Sequence, residues 1–146
     1  GEDTWKLWNV WVEIITLPRM SPEEAARRAK EDLEKAAKRY EDREVGSMNL
    51  FRSWKLYRDA WLLLEATPDR PQELLETART RMREVRPELD RKCSAMLVGY
   101  QQEMNKRNPD FDLARNLLKD IGNHFEKEHP CLGFSKMLLR DLDNVE

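Results

Sequence analysis

Glycine is scarce in this chain, with five among 146 residues, and cysteine and histidine occur twice each. Few glycines, combined with long tracts of Ala, Glu, Lys, Arg and Leu, favour long solvated helices over strands and turns. Neither sign of charge dominates. Lys and Arg total 26 against 28 Asp and Glu, so the formal net charge is −2, too little to draw in nucleic acid or an anionic membrane. There is no phosphate-cradling loop, nucleophile elbow or dinucleotide fingerprint. Carboxylates are abundant, yet none stands in an apolar stripe as a tuned acid or base would. The expectation is therefore not an enzyme, with no cofactor and no metal.

What the chain has in quantity is apolar residues at helical spacing. In the stretch 49–66, NLFRSWKLYRDAWLLLEA, residues Phe51, Trp54, Tyr57, Trp61 and Leu64 fall three or four apart and form one broad stripe on a helix. Leu50, Leu56, Ala60 and Leu63 widen it, so the helix must be covered on more than one side. A chain of 146 residues is long enough to bury a core of this kind as one domain, residues 1–146, without metals or disulfides.

The chain opens on Gly1 rather than Met, and the reading is of a domain excised from a longer protein. Residues 5–17, WKLWNVWVEIITL, form a first Trp-rich helix, with Trp5, Trp8, Val12 and Ile15 on one face. At about thirteen residues it is too short to span a bilayer, which takes roughly 20. It either caps the helical core or follows a membrane anchor and lies at the interface where tryptophan concentrates.

Ser21, Pro22 and Glu24 mark the next helix start as N-cap, first helical residue and capping-box partner. Ala25, Ala29, Leu33, Ala36, Ala37 and Tyr40 then form a narrow stripe of mostly small residues that admits close helix packing. Gly46 breaks the chain before the central helix, and Pro68 ends that helix. A further helix starts near Pro71. Pro87 falls inside its pattern, with too few turn residues around it for a loop, so a kinked or barely broken rod to Met104 is expected. The turn at 105–109 precedes a helix carrying Phe111, Ala114, Leu117, Leu118, Ile121 and Phe125 on one face, with Gly122 hinting at close packing and Pro130 closing it. Leu132 to Leu142 make a last short helix.

The segment DFDLARNLLKDIGNHFEKEHP resembles the second helix of a tetratricopeptide repeat, with Phe111, Ala114, Leu117, Leu118 and a following Pro130. Tyr100 fits an aromatic of the preceding helix. The segment YRDAWLLLEATP repeats the pattern in Tyr57, Ala60, Leu63, Leu64 and Pro68. The copies stand about 54 residues apart against a usual period near 34, and the signature glycine and tryptophan of the first helix are not found at their places. At the level of helix hairpins the likeness covers residues 22–142; a plain helical bundle explains the same stripes. The fold class is thus all-α, about six helices in antiparallel hairpins, stacked as a short repeat-like array or as a bundle.

The resemblance implies a protein-interaction scaffold that receives a peptide or helix of a partner on a groove bearing Tyr40, Trp54, Tyr57 and Tyr100. The alternative is a structural, extracytoplasmic domain of a membrane-anchored envelope assembly, docked through residues 5–17. The compartment, cytoplasmic or extracytoplasmic, stays open, as does the oligomeric state. Cys93 and Cys131 are either two buried thiols or, in an oxidising compartment, one disulfide joining the long helix to the last. His124, His129 and Cys131 suggest zinc only weakly, because two histidines five apart do not share a helical face and no fourth ligand is evident. His129 would then meet the carbonyl end of its own helix. The basic run Arg79, Arg81, Arg83, Arg86, Arg91, Lys92 is interleaved with Glu76, Glu84, Glu88 and Asp90, as on a solvated helical face, and no nucleic-acid partner is expected.

Overall fold

A computed structural model of the chain describes residues 20–145, and among these the protein is all-α, without a strand. Five helices follow one another: α1 Pro22–Glu41, α2 Asn49–Glu65, α3 Gln72–Met104, α4 Phe111–Ile121 and α5 Pro130–Val145. The Trp-rich stretch 5–17 lies outside the described residues. Backbone contacts divide the rest into two compact units, one of residues 20–41 and 52–85, the other of residues 42–51 and 86–145. Helix α3 runs through both. The boundary falls beside Pro87, whose ring removes one backbone donor from an otherwise unbroken helix of 33 residues.

The first unit is built on small residues. Ser21 caps α1 by accepting a hydrogen bond on its Oγ from the Glu24 N–H at 3.1 Å. Ala25, Ala29 and Ala36 of α1 are fully buried, whereas Ala37, placed in the same stripe by the sequence, is exposed. The core joins Ala29, Ala60, Leu64, Leu75 and Ala78, with Leu33, Trp61 and Leu74 packed at its margin. Because alanine adds so little bulk, backbones come near enough for the buried Ser53 hydroxyl of α2 to donate to the Ala36 carbonyl of α1 at 2.9 Å. That bond satisfies a hydroxyl that would otherwise be costly to bury.

The second unit holds the turn 42–48 onto α3. The Arg43 Nε donates to Glu88 Oε1 at 2.8 Å, and Lys92 Nζ donates to the Ser47 carbonyl at 3.1 Å. A Cβ at Gly46 would stand 2.8 Å from the Asn49 side-chain nitrogen, so a larger residue there would displace a side chain that donates to the Asp42 carbonyl. Helices α4 and α5 pack against each other, with Ala114, Leu118 and Ile121 of α4 and Cys131, Ser135 and Leu142 of α5 buried.

Two sequence expectations change here. Helix α4 ends at Ile121 with Gly122 as its C-cap, in ordinary right-handed backbone, and a Cβ there would stand 3.3 Å from the Lys119 carbonyl oxygen, so the close approach expected at Gly122 coincides with the helix end. Phe125 is buried all the same, but from the turn after the helix. Pro130 does not close α4. It opens α5 as the first helical residue, where its missing N–H costs nothing.

Between α3 and α4 the turn is closed by Glu103, whose carboxylate accepts from Lys106 Nζ at 2.9 Å and from the Asp110 N–H at 3.2 Å. The Lys106 contact first, and the Asp110 N–H second, hold its carboxyl below the ordinary 4.5. A lowered folded pKa contributes stability that is present above the unfolded value and is lost as pH falls through the folded one. Thermal midpoints of the wild type and Glu103→Gln should therefore converge on acidification from about pH 6 toward pH 3. A constant gap across that range would show that the carboxylate charge plays no part.

Candidate functional site

The four aromatics marked out by the sequence do not share one environment. Trp54 and Tyr57 keep 5% and 2% of their surface, so they serve the core and offer a partner almost nothing to touch. Tyr40 and Tyr100 are half-buried and retain surface. Tyr40 and Tyr57 are tied together through Arg81, whose guanidinium lies 5.3 Å from one ring centroid and 5.5 Å from the other. Arg81 also donates from Nε to the Tyr57 hydroxyl at 3.5 Å and pairs with Glu84, contacts that raise its pKa further. Of the rest of the basic run, Arg79 reaches Glu65 and Glu76, and Arg86 reaches Asp90.

The densest chemistry lies where α3 meets the start of α5. Cys93 and Cys131 form a disulfide with their Cα atoms 5.9 Å apart. Cys131 is the second residue of α5, and the residue just before that helix is His129. Its Nδ1 accepts the Cys131 N–H at 3.0 Å, so His129 is the N-cap of α5, not a residue at the carbonyl end of the helix before it. Its Nε2 stands 2.8 Å from Asp90 Oδ1 on α3.

These two contacts fix the tautomer. A backbone N–H can only donate, so Nδ1 carries the lone pair and Nε2 carries the proton that Asp90 accepts. Burial pushes the His129 pKa down, against the partial support of Asp90, and the dipole of α5 also disfavours a cation at that end. Asp90 is pushed up by its own partial burial, but hydrogen bonds from His129 and Arg86 outweigh this and hold its carboxyl below the ordinary 3.8. The result is a chain from the Arg86 Nε through Asp90 and a neutral His129 to the Cys131 backbone. The Phe125 ring leans on the imidazole at 4.8 Å between centroids.

His124 takes no part. Its Nε2 lies 3.6 Å from Asp120, and burial followed by the nearby Lys92 charge lowers its pKa. Pairing it with His129 follows from counting along the chain; the fold instead supplies Cys93, from a different helix and 38 residues away from Cys131. Only the sequence idea of a link between the long helix and the last one pointed there.

No family model, curated protein or solved structure matches this chain. Function therefore rests on geometry. No helix among the described residues is long and apolar enough to cross a membrane. Outside the core, the large apolar side chains that stay exposed include Phe134 and Met137, one turn apart on α5 at 50% and 44%, and Leu113 on α4. Phe134 and Met137 lie on the helix anchored at its start by the disulfide and by His129.

Proposed function

We propose that the chain is a protein-interaction scaffold of tetratricopeptide-like helix hairpins, and that the exposed face of α5 receives an apolar segment of a partner. The supporting observation is the pair Phe134 and Met137, held in the open on a helix whose first turn is covalently fixed to α3. Aromatic residues and methionine are enriched at the cores of protein interfaces, and a rigid support lowers the entropy lost on binding. Inside the same helix pair, Ala114 and Leu118, two of the positions that carry the repeat resemblance, turn inward.

A second reading, a structural domain on the extracytoplasmic side of an envelope membrane, draws on the disulfide, since such bonds persist in oxidising compartments. The two readings are compatible, because a scaffold can stand outside the cytoplasm.

The test is site-directed photocrosslinking in the native cell, with a benzophenone amino acid at position 134 and, as control, at the exposed Val45, which keeps 84% of its surface. One discrete adduct from position 134, absent from position 45 and lost when Met137→Asp is added, is the expected outcome. Equal and diffuse adducts from both positions would refute the docking face. Alkylating the same cells before reduction tests the second reading: Cys93 and Cys131 should resist modification, and two freely alkylated thiols would oppose it.

A further inference from the structure

Cys93, His129 and Cys131 place one donor atom each within 4.8 Å of one another, and all three residues are buried. We propose that, once the disulfide is reduced, these residues bind a single zinc ion, so that this one centre fastens α5 to α3 in either of two chemical states. This goes beyond the scaffold reading and does not depend on it.

Four features carry the inference. The ligand types are two thiolates and one imidazole, the set that zinc prefers at tetrahedral sites with one position left over. Bound zinc needs its sulfurs about 3.8 Å apart, from Zn–S bonds near 2.3 Å and tetrahedral angles. Cα atoms 5.9 Å apart allow that spacing by side-chain rotation alone. Next, the imidazole is already prepared: its Nδ1 bears a lone pair toward the Cys131 end, while Asp90 holds the opposite nitrogen as a proton donor. A carboxylate behind a ligating histidine fixes its orientation and raises its basicity. Lastly, Cys131 occupies the first turn of α5, where the helix dipole favours a thiolate.

The chemistry balances simply. A dithiol reductant supplies two electrons and two protons, becomes a disulfide itself, and leaves thiols on Cys93 and Cys131. Zinc then displaces those two protons and takes the neutral Nδ1, which has none to lose. The Cys131 N–H gives up its place on Nδ1 to the metal. Cys93, at 8% exposure, is the route by which reductant and ion enter, and a water or a partner side chain completes the fourth position.

Cobalt(II) alone is the probe, added to the full chain after reduction with a phosphine and removal of metals. One equivalent should bind with a thiolate-to-cobalt charge-transfer band, displaced by zinc, and the oxidised chain should give none. His129→Asn retains an acceptor suited to capping α5, so it tests the imidazole without removing the cap. It should weaken cobalt binding by more than about tenfold, the range known even for losses behind the ligands, and Asp90→Asn by about ten- to a hundredfold. His124→Ala should leave the affinity unchanged. Absence of the band in the reduced wild type would overturn the proposal, as would a cobalt affinity equal to the wild type's in Cys93→Ser or His129→Asn. Equal loss in His124→Ala would also overturn it, by showing a general effect of destabilisation.

Discussion

Alanine at both Cys93 and Cys131 should lower stability by about 4 kcal/mol, the chain-entropy value for opening a loop of this length. The bond closes 38 residues that contain the whole of α4, so without it the unfolded ensemble gains all the freedom of that segment. Alanine is the informative replacement because both positions are buried, and serine would add the separate cost of enclosing a hydroxyl. Denaturant titration of the oxidised wild type against the double variant checks the value. A shift below about 1 kcal/mol would mean that the unfolded chain keeps residual structure in this segment, so that the crosslink removes little freedom from it.

Leu64→Ala should cost about 3–5 kcal/mol, the upper part of the range for such truncations. Leu64 is fully buried, and three of the residues that share its cluster, Ala29, Ala60 and Ala78, are alanines on three different helices. Side chains so short cannot lean into the space that leucine vacates, and the backbones of packed helices move only at the expense of other contacts. The cavity therefore stays open, and an open cavity is what raises the cost. Thermal and chemical denaturation of the variant measure it. A loss below about 2 kcal/mol would mean that the helices close over the gap.

The helices were legible because their apolar residues repeat at a spacing that only a helix can bury on one side. The Ser21 cap, the break at Gly46 and the continuation of the long helix past Pro87 all follow from local rules and appear in the structure. Where sequence reading went astray, a tertiary contact decided. Phe125 keeps helical spacing with Ile121, yet the chain turns at Gly122, and Phe125 is buried against His129 from outside the helix. Pro130 looked like a terminator because prolines commonly follow helices, but the same ring suits the first position of a new one.

The site was harder to read for a similar reason. His129 and Cys131 are neighbours in sequence, whereas Asp90 and Cys93 come from α3, one turn apart, and nothing local announces that the two segments meet. Asp90 looked like one more carboxylate in a solvated charge run. Its tie to Arg86 belongs to that run; its bond to His129 does not. Tyr57 and Trp54, conversely, drew attention as aromatics and prove to be enclosed, because an aromatic stripe wide enough to notice is also wide enough to form a core.

The Cys93, His129 and Asp90 contacts fasten α5 to α3 and keep the Phe134 and Met137 face in one position. Amide hydrogen exchange of the oxidised wild type against the Cys93→Ala, Cys131→Ala variant tests this directly. Protection should fall furthest in residues 130–145 and in α3 around Cys93, and in α1 and the Leu64 region of α2 by no more than the loss of overall stability. Unchanged protection of α5, or a loss in α5 no larger than that in α1, would contradict it.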